Sequence, residues 1–223
     1  MRLGLLSLRE ETLVNASLSV LLPVRNAESS LAAMVHEMLD VLPELTPQFE
    51  LIIVDDASSD STIEVADELA RHFPQLRVVR HGTPAGRATA VRTALAASGG
   101  QILFLRDEDC RLPIDEVPRL WRAMAGHETV LGVPPGEPET PGVRGPHSGT
   151  CQMFRRRAVR RVERSLSDST SLVVELARLG YQWHEVPLRN RAEGRHPVAL
   201  QSGCSRPRRP NYLARIKEFA LGE

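Results

Sequence analysis

Hydrophobic and polar positions follow two alternating patterns along the first half of the chain. Short, mostly apolar runs are typical of strands buried on both faces, and they occur at residues 18–23, 50–54 and 101–106; residues 76–80 (LRVVR) form a further predicted strand. Apolar residues recur at helical spacing over residues 29–41, 60–71, 85–98 and 114–125. This alternation of strand and helix predicts an α/β fold with a mostly parallel sheet and helices on both faces.

The second half follows a different pattern. Residues 130–146 are rich in glycine and proline, which predicts a loop after a short fifth strand. Beyond it we expect strands at 149–154 and 183–188, helices at 155–164 and 169–179, and a terminal amphipathic helix. We therefore predict a single domain over residues 1–223, with an α/β half at 15–132 and a smaller mixed half at 147–223.

Polar clusters follow three of the four predicted strands. They read RNAE at residues 25–28, DD at 55–56 and DED at 107–109. Because the carboxyl ends of parallel strands meet at one edge of a sheet, and ligands of such sheets bind beyond that edge, the three clusters are expected to gather there. The sequence thus predicts a binding site before any family is considered.

Composition narrows the class of protein. The chain has 28 basic and 28 acidic residues, a balance that argues against a general nucleic-acid binder. Cys110, Cys151 and Cys204 are isolated and odd in number, so we expect neither a disulfide framework nor a zinc site. No run approaches the roughly 20 apolar residues of a membrane span. We expect a cytoplasmic protein with no transmembrane segment, although peripheral membrane contact stays open.

Several blocks carry a family resemblance. LSVLLPVRNAESSL, ELIIVDDASSDST and GRATAVRTALAASGGQILFLRDED resemble the opening blocks of family 2 glycosyltransferases, which have the GT-A (Rossmann-like) fold. SGTCQMFRRRAV, ELARLGYQWHEVPL and RAEGRHP are similar to later blocks of polyprenyl-phosphate sugar transferases such as dolichol-phosphate mannosyltransferase. The resemblance implies that residues 15–132 bind a nucleotide sugar and that residues 147–223 form the acceptor side.

The resemblance also implies a reaction. It is the inverting transfer of a sugar from a UDP- or GDP-sugar to a lipid phosphate or a saccharide. Mg²⁺ or Mn²⁺ would neutralise the leaving diphosphate, held by one or two carboxylates and by the phosphates themselves. Asp107 and Asp109 are the implied metal ligands, and Asp109 is the residue expected to matter most for catalysis.

The register of this acidic motif is open. Arg106 stands where the family usually has its first aspartate, and a motif read from there would lose a ligand. Counting back from the following Cys110 gives Asp107-Glu108-Asp109, which we favour. The alternative is a solvated acidic turn in which Arg106 pairs with a neighbour.

The resemblance places further residues around the donor. One carboxylate of Asp55 and Asp56 would accept a hydrogen bond from the nucleobase, unless the pair only caps a helix. Asn26 would lie along the nucleotide cleft or, on the alternative interpretation, make an Asx turn. Arg87 is either a phosphate ligand at a helix N-terminus or a solvated arginine. The expected nucleotide-sugar site comprises Pro23, Arg25, Asn26, Glu28, Asp55, Asp56, Arg87 and Asp107.

The acceptor side is less defined. Transfer to a hydroxyl needs a general base, and Asp168 or Glu175 is the nearest candidate, although Asp168 also suits a helix N-cap. A phosphate acceptor is already an anion and needs no strong base. Arg157, Arg189 and Arg191 would bind that phosphate, with Arg155 and Arg156 as further candidates, unless the arginine run is an exposed helix face.

A rival hypothesis belongs to another class. The chain would be a degenerate GT-A domain that binds a nucleotide or a protein partner without turnover. Arg106 at the usual aspartate position, the replacement of the family's R-x-x-G-x-S-K block by RAEGRHP and the missing base favour it.

Overall fold

The computed structural model describes residues 13, 15–106, 113–133, 151–160 and 172–188. In these ranges the strands are β1 (Leu18–Val24), β2 (Phe49–Asp55), β3 (Leu76–Arg80), β4 (Ile102–Leu105), β5 (Thr129–Val133), β6 (Cys151–Arg155) and β7 (His184–Pro187). The helices are α1 (Leu31–Leu45), α2 (Thr62–His72), α3 (Arg87–Ala97), α4 (Val117–Ala123), α5 (Arg156–Val159) and α6 (Leu172–Arg178), with a 3₁₀ turn at Ile114–Glu116.

The strands form one seven-stranded sheet in the order β3-β2-β1-β4-β6-β5-β7. Among the described strands, β6 alone runs antiparallel to its neighbours, β4 and β5. The mostly parallel α/β sheet predicted from the sequence is therefore confirmed. The chain passes from β1 outward to β3 and then returns to the other side of β1 with β4, so the strand order reverses between β1 and β4.

Helices cover both faces of the sheet because alternate strand residues point to opposite sides. Leu18, Val20 and Leu22 of β1 join one apolar core, which α1, α2 and α4 cover. Leu21 joins the second core, which α3, α5 and α6 cover. The apolar strand runs of the sequence are thus buried from both sides, as expected of a parallel sheet with helices on each face.

Two predicted helix boundaries differ from the structure. Helix α1 continues through Pro43 to Leu45, because buried Leu42 extends its apolar stripe by another turn. The helix predicted from residue 114 begins with a 3₁₀ turn and becomes α-helical only at Val117, where Pro118 occupies the first turn. Proline is tolerated at that position since its nitrogen would have no intrahelical partner there.

Two other expectations concerned the cysteines and the absence of a membrane-spanning helix. Cys151 is disulfide-bonded, although the isolated cysteines of the sequence indicated no disulfide framework; its partner lies outside the described residues. Within the described ranges, no helix combines the length and apolar character needed to cross a bilayer.

Candidate functional site

The carboxyl ends of β1, β2 and β4 lie side by side, as predicted. Val24 pairs with Asp55 across β1 and β2, and the Arg106 amide donates to the carbonyl oxygen of Leu21 at 3.1 Å. This edge coincides with the reversal in strand order, where open α/β sheets bind ligands. Five predicted site residues lie outside the described residues, namely Asp107, Asp109, Asp168, Arg189 and Arg191.

Side chains from the loop after β1 fasten it to the loop after β2. The side-chain oxygen of Asn26 accepts a hydrogen bond from the amide of Ser59 at 2.9 Å. Glu28 accepts one from the amide of Ser61 at 3.1 Å. Asn26 and Glu28, which we expected to line the cleft, therefore use their side chains to join the two loops, and Asn26 makes this cross-loop contact instead of an Asx turn.

The same interface contains left-handed backbone. Asn26 and Ala57 each have a φ of 54°, a conformation that costs energy in a residue with a side chain. The Ser58 hydroxyl oxygen accepts the Asn26 amide at 2.9 Å, which holds the two strained segments together. Such strain persists only where surrounding contacts fix the backbone, so these loops form a rigid rim.

Asp60 begins helix α2 and adds a further link. One of its carboxylate oxygens accepts the amide of Thr62 at 3.1 Å, and the other accepts the amide of Glu28 at 3.2 Å. The hydrogen bond from the Thr62 hydroxyl is the main reason that the pKa of Asp60 is lowered. Thr62 in turn accepts the amide of Ala27 at 2.7 Å. Asp60 therefore caps this helix by accepting the amide of Thr62, whereas Asp55 and Asp56 make other contacts.

Asp55 is fully buried at the end of β2. One carboxylate oxygen accepts hydrogen bonds from the amide and the hydroxyl of Ser58. The other, Oδ2, is buried without a hydrogen bond and lies 3.9 Å from Nε of Arg80. In this arrangement Asp55 holds the turn through Ser58.

Asp56 ties the end of β2 to the start of α3. It is only 4 % exposed. Its Oδ1 accepts hydrogen bonds from His81 Nδ1 at 2.7 Å and from the Ala85 amide at 2.8 Å, and its Oδ2 accepts the Gly86 amide at 3.0 Å. Burial opposes ionisation of this carboxyl, but the hydrogen bonds from His81, Ala85 and Gly86 outweigh it and lower the pKa of Asp56.

His81 extends this contact to helix α3. A carboxylate only accepts hydrogen bonds, so Nδ1 of His81 carries the proton. Its Nε2 lies 2.9 Å from the hydroxyl of Thr93 on α3. Gly86, with a φ of 86°, makes the turn into α3. Sequence reasoning missed His81, although it directly follows β3 and so lies at the same edge as the other strand-end residues.

Three more predicted donor residues lie at or near this edge. Pro23 is buried within β1, beside Val54 of β2. Arg25 is exposed immediately after β1, and Arg87 is exposed as the first residue of α3. The two arginines place positive charge on the rim that borders Asp56.

Arg157 is not brought to this edge. Strand β6 is antiparallel to β4, so Arg155 at its end pairs with Ile102, the first residue of β4. Arg157 follows at that opposite edge, where its Nε donates to Glu128 at 2.7 Å. This hydrogen bond is the main reason that the pKa of Glu128 is lowered. Arg157 thus lies at the edge opposite to Asp56, and its role at an acceptor phosphate stays a prediction.

Two other residues considered for the acceptor side are engaged in structural contacts. Arg156 donates from Nη2 to the hydroxyl of Ser98 at 2.7 Å, which secures the end of α3. Glu175 of α6 is largely buried and accepts a hydrogen bond from Arg178 at 2.5 Å. Neither contact points to acid–base chemistry.

Arg106 is the least expected feature of the edge. It is 8 % exposed, and its Nε and Nη1 are buried without a hydrogen-bond partner. Nη2 lies 3.4 Å from a carboxylate oxygen of Glu37 on α1. Burial lowers the pKa of Arg106, an effect that the contact with Glu37 partly offsets.

In the described part of the chain, no cluster of three or more histidine, cysteine or acidic residues is arranged to hold a metal.

The sheet order, the single antiparallel strand and the polar edge beyond β1, β2 and β4 define a GT-A type domain, the fold found in its structural neighbours. The chain belongs to glycosyl transferase family 2, whose sequence model matches residues 19–174.

Curated relatives of this chain act on polyprenyl phosphates, by their names. An undecaprenyl-phosphate 4-deoxy-4-formamido-L-arabinose transferase of Photorhabdus laumondii is 31 % identical over 117 residues, covering 50 % of this chain and 35 % of that protein. The dolichol-phosphate mannosyltransferase of Saccharomyces cerevisiae is 29 % identical over 115 residues, covering 51 % and 43 %. The matched region is thus less than half of either relative's length.

Solved structures share the fold at lower identity. Glucosyl-3-phosphoglycerate synthase of Mycobacterium tuberculosis, in complex with Mn²⁺, UDP and phosphoglyceric acid, superposes with a TM-score of 0.60 at 23 % identity, covering 83 % of this chain and 75 % of that one. A mannosyltransferase of Pyrobaculum calidifontis, in complex with GDP-mannose and Mn²⁺, gives 0.58 at 21 %, covering 82 % and 63 %.

Proposed function

We propose that this chain transfers a sugar from a UDP- or GDP-sugar, with inversion, to a lipid phosphate. The observation that carries the proposal is the convergence of three strand ends at the point of strand-order reversal in a family 2 domain. The polyprenyl-phosphate transferases among its relatives favour a lipid phosphate over a saccharide as the acceptor. A lipid acceptor would bring the protein against a membrane surface.

The nucleoside would lie against the rim formed by Asp56 and residues 81–87. Asp56 fixes that rim through three contacts. Arg25 and Arg87 border it and would attract the anionic donor. Residues 15–132 would therefore form the donor half of a single domain, with residues 147–223 on the acceptor side.

A divalent cation, Mg²⁺ or Mn²⁺, would be held by Asp107 and Asp109, which follow β4 in the chain. When bound, the ion would neutralise charge on the leaving diphosphate. Carboxylate pairs completed by phosphate oxygens suit both ions. The Mn²⁺ complexes of two structural neighbours support this assignment. Arg189 and Arg191 would bind the acceptor phosphate, and Asp168 would serve as the base if the acceptor is a hydroxyl.

Thermal unfolding with a panel of nucleotides tests the donor half of the proposal. UDP, GDP, CDP and ADP, and the corresponding sugar nucleotides, are compared with and without Mn²⁺. We expect stabilisation by UDP or GDP that increases with Mn²⁺ in the wild type and is reduced in Asp109→Ala. Asp115→Ala, which removes an exposed carboxylate nearby in sequence, is the matched control. Failure of every nucleotide to stabilise the wild type would refute the proposal.

Turnover separates the enzyme from the rival function. The same protein is incubated with the stabilising nucleotide sugar and undecaprenyl or dolichyl phosphate in detergent. Release of nucleoside diphosphate that depends on the lipid, with a glycolipid of inverted anomeric configuration by NMR, supports the transferase. Nucleotide binding without release would instead support a degenerate binding module, the alternative favoured by a buried arginine at the usual aspartate position.

A further inference from the structure

Arg106 carries a buried positive charge that the side chains of the described residues neutralise poorly. In the described part of the chain its side chain contacts one carboxylate, that of Glu37, at 3.4 Å, whereas charge-assisted hydrogen bonds are typically about 2.7–2.9 Å long. The Glu37 side chain is 47 % exposed, so water weakens the attraction. Among the residues that the structure describes, Nε and Nη1 have no hydrogen-bond partner.

Such an arrangement is unfavourable in the ligand-free protein. A guanidinium stays protonated even when burial lowers its pKa, so the charge cannot be removed by titration. Buried donors without acceptors are rare because each loses its hydrogen bonds to water without replacement. An anion that reached these donors would be bound strongly, since the low local dielectric strengthens charge interactions.

The position of Arg106 indicates which anion this is. The residue directly follows β4, and its amide bonds to Leu21 of β1, so it lies at the reversal point between these strands. Asp56 lies at the same edge, on the far side of β1. Nε and Nη1 lie on different edges of the guanidinium, so they suit two separated oxygens, such as those of adjacent phosphates, better than one carboxylate.

We propose that Arg106 is a diphosphate-binding residue of the donor site. On binding, the side chain exchanges its long contact with Glu37 for hydrogen bonds from Nε and Nη1 to phosphate oxygens of the nucleoside diphosphate. The guanidinium keeps its proton throughout and supplies a fixed positive charge that supplements the metal ion. This inference rests on the proposed function and assigns Arg106 to the leaving group of that reaction.

Isothermal titration calorimetry tests the inference with UDP, GDP, inorganic pyrophosphate and the nucleosides uridine and guanosine. Each is titrated into the wild type, Arg106→Gln, Arg106→Lys and the control Arg71→Gln, which alters an exposed arginine on α2. Titrations are run in Mn²⁺ and in EDTA. Loss of charge-assisted hydrogen bonds predicts that Arg106→Gln weakens diphosphate and pyrophosphate binding by roughly 10- to 100-fold, most of all in EDTA.

The nucleosides distinguish a diphosphate contact from a base contact. We expect their affinity to be unchanged in Arg106→Gln, and Arg106→Lys to recover part of the diphosphate affinity. An equal loss for nucleosides and diphosphates, or no loss for pyrophosphate, would overturn the inference. If the wild type binds pyrophosphate through Arg106 but no nucleotide, the proposed donor fails while the anion site stands.

Stability measurements separate this role from a structural one. Removing a poorly paired buried charge predicts an equal or higher melting temperature for Arg106→Gln without ligand. Glu37→Gln should lower the melting temperature and tighten pyrophosphate binding, because Arg106 then loses its only competing carboxylate in the described structure. A lower melting temperature for Arg106→Gln together with unchanged pyrophosphate affinity would show that Arg106 only supports α1. If Arg106→Gln does not fold, Arg106→Lys and Glu37→Gln decide the question by the same titrations.

Discussion

Replacing Asp56 with asparagine tests whether its carboxylate holds the donor rim. In the wild type its two oxygens accept hydrogen bonds from His81, Ala85 and Gly86. An asparagine side chain has one oxygen, so its amide nitrogen must face at least one of these donors. The substitution keeps the size of the side chain, and the measured change therefore reports hydrogen bonding and charge.

The expected loss of stability can be built from these contacts. Losing one hydrogen bond to a charged acceptor costs about 1.5–3 kcal/mol, and making the other two neutral costs about 0.5–1 kcal/mol each. Ala85 and Gly86 are partly exposed, so water replaces part of the hydrogen bonding that their amides lose. We expect Asp56→Asn to lower the free energy of unfolding by about 2–4 kcal/mol in urea at pH 7. Asp67→Asn, on an exposed position of α2, is the matched control and should change it by less than about 0.5 kcal/mol.

The pH dependence provides a second readout. The pKa of Asp56 is lowered in the folded protein. Its ionised form therefore stabilises the fold fully above the unfolded pKa of about 3.9, and this contribution is lost as pH falls through the lower folded value. Asparagine does not titrate. We expect the difference in unfolding free energy between wild type and Asp56→Asn to be constant from about pH 7 to 5 and to narrow below about pH 4.

Two results would contradict this reasoning. A loss at pH 7 no larger than that of Asp67→Asn would mean that the hydrogen bonds of Asp56 are replaced by water at little cost. An equal difference at pH 7 and pH 3 would mean that the charge of the carboxylate is not what holds residues 81–86. Amide hydrogen exchange at Ala85 and Gly86 gives a local check, because both should exchange faster in Asp56→Asn.

Three further substitutions test the packing around the site by urea unfolding. Gly100→Ala should destabilise the protein by about 1–3 kcal/mol, because the added Cβ would lie 2.6 Å from the backbone nitrogen of Ser19. The control Gly82→Ala, with nothing within 4 Å of its Cβ, should be neutral or slightly stabilising. Equal effects of the two substitutions would contradict the packing argument. Phe104→Ala should cost about 3–5 kcal/mol since Phe104 is fully buried in β4, and a cost under about 1.5 kcal/mol would show that the core collapses around the cavity. Thr62→Val should cost about 1–3 kcal/mol by leaving a buried amide of the β1 loop without its acceptor, and a neutral result would mean that water reaches that amide.

The fold was predictable from local pattern because the strands of this sheet are buried on both faces. Runs such as residues 50–54 contain nothing but apolar side chains after the first residue, and the glycines at 99 and 100 mark the turn before β4. The direction of β6 was not predictable, since an apolar run reads the same in a parallel and an antiparallel strand. The position of Arg157 at the edge opposite to Asp56 follows from that direction.

The edge of the sheet at which the candidate site residues lie was predictable, whereas the contacts of their side chains were less so. Asp56 lies at the predicted edge because it follows a parallel strand. Its partners do not follow from spacing alone, because the Asp56 and His81 contact joins loops 25 residues apart in the chain. The same holds for Asn26, whose partner Ser59 is 33 residues away. The burial of Arg106 depends on α1 packing beside β4, which only the tertiary structure reveals.

The reversed direction of β6 has a consequence for how this scaffold can be varied. Strand β5 ends at Val133 and β6 begins at Cys151, which pairs with Gly132. Both junctions belong to the edge that carries Asp56, so the ladder between β5 and β6 is closed independently of the number of residues that connect them. The pairing of β5 with β6 thus brings both ends of the connecting segment to the edge of the sheet where the donor site is proposed, and exchanging that segment would alter no residue of the β5–β6 ladder.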